Sequence, residues 1–144
     1  MNTPGALVGL DVGEVRIGVA VSDPLGILAS PHSVIQVTQT KEVMDAIQQV
    51  IQEREAVGVV AGLPLDQNGE VGPQAQKILD FLDALREVID VEIATQDERF
   101  TTAAAERMLI QADVSRKRRK KVIDKIAAQH ILQLYLDRQK STGA

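Results

Sequence analysis

The chain has 144 residues, with 20 Asp or Glu against 16 Lys or Arg, a formal charge of −4 with both histidines neutral. At ~100–200 residues per domain, its 44% apolar and 25% charged residues suit one folded domain over residues 1–144 and argue against a disordered chain. The lack of cysteine excludes disulfide frameworks, thiolate metal sites and cysteine nucleophiles, and suits a reducing compartment, so the expected location is cytoplasmic.

Leu7 to Leu10 and Ile17 to Val21 are short runs rich in β-branched residues. Gly13-Glu14-Val15-Arg16 separates them, so they read as two antiparallel strands joined by a tight turn. A third strand is expected at Ser33 to Val37, after a connection that Pro24, Gly26 and Pro31 keep irregular. From Thr40 the apolar period lengthens to three and four at Val43, Ala46, Ile47, Val50 and Ile51, an amphipathic helix with Thr40 as its N-cap.

Val57 to Ala61 is a continuous apolar run, as in a strand buried on both faces, and Gly62-Leu63-Pro64 ends it. A loop to Gly72 follows, long enough for substrate contact or simply exposed surface. Pro73 then opens a helix with Ile78, Leu79, Leu82 and Leu85 as its stripe, and Val91 to Thr95 forms another strand. Thr101 or Thr102 caps a helix from Ala103 to Ala112. The last helix runs from beyond Ser115 to Asp137, with Ile123, Ile126, Ala127, Ile131 and Leu134 as its apolar stripe.

This order predicts an α/β fold with a mixed five-stranded sheet, three antiparallel strands then parallel ones, flanked by helices. Every apolar run is interrupted well short of ~18 residues, so no membrane association is expected. Phe81, Phe100 and Tyr135 are too few and scattered to stack unpaired bases.

Residues 116 to 121, Arg116-Lys117-Arg118-Arg119-Lys120-Lys121, carry +6, which leaves −10 on the rest of the chain. Cations at a helix N-terminus oppose the macrodipole at up to ~1 kcal/mol each, so helix stability does not account for them. A patch of this kind attracts polyanions despite the net negative charge.

Three acidic positions stand out. Asp11 ends the first strand between Gly9 and Gly13; Asp97 and Glu98 follow the last strand at its carboxyl end, where open α/β sheets place ligands; Asp124 interrupts an apolar stretch of the last helix. Ala127 and Ala128, three and four residues on, would let that helix approach a sheet closely. Taken singly, each acid also fits an ordinary turn or surface pair, Asp124 with Lys120 or Lys125 and Asp97 or Glu98 with Arg99. Together, on separate elements, they suit a hard divalent cation, and two such ions ~3.5–4 Å apart could drive in-line attack on a phosphodiester. The basic run ends three residues before Asp124, so it can hold phosphates flanking the scissile one. Neither His32 nor His130 is given a role.

The motifs Gly9-Leu10-Asp11-Val12-Gly13 with Arg16-Ile17-Gly18-Val19-Ala20 and Ser22-Asp23, Gly62-Leu63-Pro64-Leu65 with Gly72-Pro73-Gln74-Ala75, Asp97-Glu98-Arg99 with Thr101-Thr102, and Ser115-Arg116-Lys117 with Asp124-Lys125 span nearly the whole chain. In this order they resemble the YqgF (RuvX) family. The resemblance implies an RNase H-like fold and a nuclease for the 5′ end of pre-16S rRNA, acting free or on a pre-ribosomal particle. The alternatives are a Holliday junction resolvase acting on branched DNA and a non-catalytic RNA- or ribosome-binding module.

Residue by residue, the resemblance implies Asp11, Glu98 and Asp124 as catalytic acids and ligands of Mg²⁺, or of Mn²⁺ in its place, with Asp97 the alternate for Glu98. Arg16, Arg116, Lys117, Arg118, Lys120 and Lys121 are implied to contact nucleic acid. Val15, where the family often has lysine, is expected to weaken one phosphate contact, and Phe100, where leucine is usual, is expected to be a core swap of little consequence. The actin-like ATPases and sugar kinases share the core but close two domains around ATP, which a single domain cannot do.

Overall fold

The computed structural model describes residues 4–97 and 116–142, with side chains in the final helix described from 123 to 140. Elements follow in the order β1 (Leu7–Val12), β2 (Arg16–Ser22), β3 (Ala29–Gln36), α1 (Thr40–Glu53), β4 (Gly58–Leu63), α2 (Pro73–Arg86), β5 (Glu92–Asp97) and α3 (Arg116–Thr142). Short turns force β1, β2 and β3 into an antiparallel meander, and the helical crossovers bring β4 and β5 parallel to β1. The sheet order is β3-β2-β1-β4-β5, the mixed five-stranded arrangement expected.

Both faces of the sheet are covered. One packs Val8, Leu10, Ile17, Val19, Val59 and Ala61 against the apolar stripes of α1 and α2, among them Ile47, Leu82 and Leu85. The other packs Leu7, Ala20 and Val60 against Ala128, Ile131, Leu132 and Leu136 of α3. Burial on two faces explains why β4 is apolar throughout, without alternation.

Some boundaries move. The third strand begins at Ala29, not Ser33, and includes Pro31. Its ladder shifts register between Val19 and Ala20, where Ser33 and Pro31 are the respective partners. Proline lacks a ladder donor, and an edge strand with a bulge tolerates it. The α1 N-cap is Gln39, without a side-chain cap bond; Thr38 instead donates its hydroxyl to Glu42 Oε2 at 2.7 Å. On α3 the buried stripe is Ala127, Ala128, Ile131, Leu132 and Leu136, whereas Leu134 is 41% exposed. At ~100° per residue Leu134 lies well around the helix from Ala128 and Leu132, a distinction that three- and four-residue spacing alone does not make. The helix expected at Ala103 to Ala112 lies outside the described residues.

Candidate active site

Strand parity places the first acid. Leu7 and Gly9 of β1 face α3, and Val8 and Leu10 face α1 and α2, so Asp11 falls on the α3 side. Its partner across the ladder is Gly18. A Cβ built on Gly18 would lie 3.2 Å from the Asp124 Cα and inside contact with its carbonyl oxygen. At Gly9 a Cβ would come within 2.8 Å of Leu132 Cβ and 3.1 Å of the Ala128 carbonyl. These glycines and the fully buried Ala127 and Ala128 let the α3 backbone rest directly on β1 and β2. Opposed residues in an antiparallel pair share a face, with Cα atoms ~4.5–5.5 Å apart, which bounds the Asp11 and Asp124 Cα atoms to roughly 10 Å of each other.

Asp124 is partly buried on the same face of α3 as the buried stripe, four residues before Ala128 and eight before Leu132. Among the described residues its ion-pair partner is Arg16, at the start of β2, which donates from Nε to Asp124 Oδ2 at 2.6 Å. Both side chains are largely shielded, with 25% and 20% of their surfaces exposed. Arg16, expected among the nucleic-acid contacts, is therefore turned toward the candidate acid. The hairpin that carries it is closed by Gly13 N–H donating to the Arg16 carbonyl at 3.0 Å. Its tip is tied to α2 by Lys77 donating to Glu14 at 2.8 Å, a bond that lowers the pKa of Glu14 and raises that of Lys77.

At the other end of the parallel set, Asp97 pairs with Leu63, which is buried in the α1 and α2 core. Asp97 thus lies on the sheet face opposite to Asp11. Gln96 pairs with Gly62 and sits on the α3 side. Leu10 pairs with Ala61 and Ala61 with Thr95, so one step on, Asp11, Gly62 and Gln96 share a row. Gly62 puts no side chain between the other two. Gln96 is only 4% exposed, and its Nε2 donates to the Asp97 carbonyl at 3.3 Å. The sequence reading missed it; strand parity relative to Asp11 was the available signal.

Glu98 lies outside the described residues, as do the side chains of Arg116, Lys117, Arg118, Lys120 and Lys121. Their backbone is helical, in the turns of α3 that precede Asp124. Residue 116 stands eight positions ahead of Asp124, about 12 Å along the axis. Among the described residues no three His, Asp or Glu side chains cluster as metal ligands. No described helix is long and apolar enough to cross a membrane.

The loop after β4 is built rather than slack. Asp66 Oδ1 accepts from the amides of Asn68 at 2.9 Å and Glu70 at 2.8 Å. Gly69, at φ +79°, lets the turn close with its N–H donating to the Asp66 carbonyl at 2.9 Å.

A family model described as "RuvX: Holliday junction resolvase" matches residues 5–138. The chain belongs to the RuvX family. It is 48% identical over 131 residues to a protein of Syntrophomonas wolfei, covering 91% of this chain and 93% of that one. It is 51% identical over 131 residues to one of Desulforamulus reducens, covering 91% and 96%. Both relatives bear the name "Putative pre-16S rRNA nuclease". Among solved structures, Thermus thermophilus RuvC in complex with a Holliday junction substrate superposes with a TM-score of 0.56 at 12% identity, covering 96% of this chain and 97% of that one. The yeast mitochondrial Holliday junction resolvase gives 0.53 at 12% identity, over 97% and 81%. At such identities the likeness is one of fold: this RuvX chain is RNase H-like.

Proposed function

We propose that this single-domain RuvX protein is a cytoplasmic, metal-dependent nuclease that hydrolyses phosphodiester bonds at the 5′ end of pre-16S rRNA. The observation that supports it most is the Gly18 contact, through which α3 carries Asp124 to the face and end of the sheet where Asp11 stands. Close relatives named for pre-16S rRNA support the substrate.

The residues present fit a hard divalent ion. Carboxylate oxygens are its preferred ligands, and Asp124 already engages a positive group at 2.6 Å. Asp11, Asp124 and Glu98 would hold the ion, Mg²⁺ or Mn²⁺. Of the two adjacent acids, Glu98 is preferred because Asp97, the last residue of β5, shares the face of Leu63. When bound, the ion supplies charge stabilisation and an activated water for attack on phosphorus. The chain's own part is positional. The β1 ladder fixes Asp11, the buried stripe of α3 fixes Asp124, and the run Arg116 to Lys121 lies along the approach of a polyanionic strand. Such contacts strengthen binding without reading sequence.

A second reading, resolution of branched DNA, is favoured by the family description and by the resolvase fold. The chemistry does not itself choose between ribose and deoxyribose. Competition between labelled pre-16S rRNA and a four-way DNA junction in Mg²⁺ decides: preferential rRNA cleavage is expected, and cleavage of the junction alone would replace the first reading with the second. Salt-sensitive RNA binding with no cleavage in Mg²⁺ or Mn²⁺ would mark a non-catalytic module.

A further inference from the structure

We propose that Arg16 is the resident counter-ion of Asp124, occupying the charge position of a divalent cation until a phosphate of the substrate draws the guanidinium away. The inference rests on the metal-dependent reading above. Arg16 would be a positioning residue that couples nucleic-acid binding to metal binding.

The geometry carries the idea. Arg16 begins β2 two residues before Gly18, on the same strand face, and Gly18 is where the Asp124 backbone presses on the sheet. The guanidinium therefore reaches Asp124 from the sheet side, and the bond is made by Nε to one oxygen, Oδ2, at 2.6 Å. A guanidinium presents a planar fork suited to phosphate as well as to carboxylate. Exchange of one anion for the other needs a side-chain rotation and leaves the strand in place. With Arg16 on Asp124, a divalent ion meets one carboxylate already neutralised and a like charge nearby. With Arg16 on a phosphate, that carboxylate is released. By thermodynamic reciprocity, substrate then strengthens metal binding and metal strengthens substrate binding.

The test is direct calorimetric titration of Mn²⁺ into wild type, Arg16→Gln, Arg16→Lys and Asp124→Asn, without nucleic acid, each checked for folding by circular dichroism. Arg16→Gln should bind Mn²⁺ roughly tenfold more tightly than wild type, a change within reach of the repulsion between a divalent ion and a guanidinium a few ångströms away. Arg16→Lys retains the charge and should stay close to wild type; a residue needed only for folding would show no such split. A second titration adds 2′-O-methyl RNA of the pre-16S 5′ sequence, which should tighten Mn²⁺ binding to wild type more than to Arg16→Gln. Unchanged or weaker binding in Arg16→Gln, with wild type binding and Asp124→Asn not, overturns the role of Arg16 and leaves the metal-dependent reading intact. Binding to Arg16→Gln but not to wild type supports the proposal, whereas binding to neither overturns both.

Discussion

Gly18 of β2 and Asp124 of α3 touch backbone to backbone: the space a side chain at 18 would need is filled by the Asp124 carbonyl. Overpacking a tight contact commonly costs about 1–3 kcal/mol, and here the obstruction is backbone, which cannot rotate aside. Gly18→Ala should therefore destabilise the fold by about 3 kcal/mol and shift α3 off the sheet. Denaturant unfolding gives the first quantity. Activity should fall even at temperatures where the variant stays folded, because the shift separates Asp124 from Asp11. Unaltered stability would mean that α3 stands further from the sheet.

Leu132 tests the same docking from the apolar side. It is fully buried between α3 and the sheet. Leu132→Ala removes that packing and leaves a cavity, a change that typically costs about 2–5 kcal/mol. Leu134→Ala, at a residue 41% exposed on the same helix, should cost well under 1 kcal/mol. Chemical denaturation of the pair gives the contrast.

Much of this architecture is written locally in the chain. The change of apolar period at Thr40 marks α1, the unbroken run into Ala61 marks a doubly covered strand, and Ala127 with Ala128 signals a helix lying close to a sheet. What local pattern could not give is pairing across distance. Arg16 and Asp124 are 108 positions apart, and only the β1–β2 register, the glycine at 18 and the azimuth of Asp124 on α3 together bring them into contact. Asp97 reads as equivalent to Glu98 until the pairing of Leu63 with Asp97 sets it on the other face. Gln96 is harder to read, because a polar residue in a short strand shows its burial only once strand parity is combined with the pairing of β4 and β5.

The β2–β3 loop should loosen in acid. The Asp23 carboxylate accepts from the amides of Leu28 at 2.7 Å, Ile27 at 2.8 Å and Leu25 at 3.2 Å. Those bonds, that of Leu28 foremost, hold its pKa below the ordinary value. With the folded value depressed, the stabilisation is complete above the unfolded pKa of ~3.9 and is lost as pH falls through the folded one. Hydrogen exchange at Ile27 and Leu28, corrected for intrinsic rates, should show constant protection from neutral pH down to ordinary carboxylate values and a decline below them. Asp23→Ala should lack that protection at every pH.

The basic run should act through phosphate contacts alone. Replacing Lys117, Arg118, Lys120 and Lys121 by alanine should weaken RNA binding and flatten the dependence of log affinity on log salt, by about 0.7 for each phosphate of a single strand that is no longer neutralised. Thermal stability should hold or rise slightly, because the removed charges oppose the helix dipole. Binding isotherms at several salt concentrations measure the slope; an unchanged slope would remove the run from the interface.

The central claim is that Asp11 and Asp124 act together on a phosphodiester. The most direct measurement is the cleavage rate of 5′-labelled pre-16S rRNA in Mg²⁺ by wild type, Asp11→Asn, Asp124→Asn and the double variant, all at matched RNA occupancy. The account predicts that either single change lowers the rate by at least about a thousandfold, that the double variant is scarcely slower, and that RNA affinity stays within a few-fold, as for residues working as one unit. Wild-type rates in both single variants, with intact folding, would contradict it.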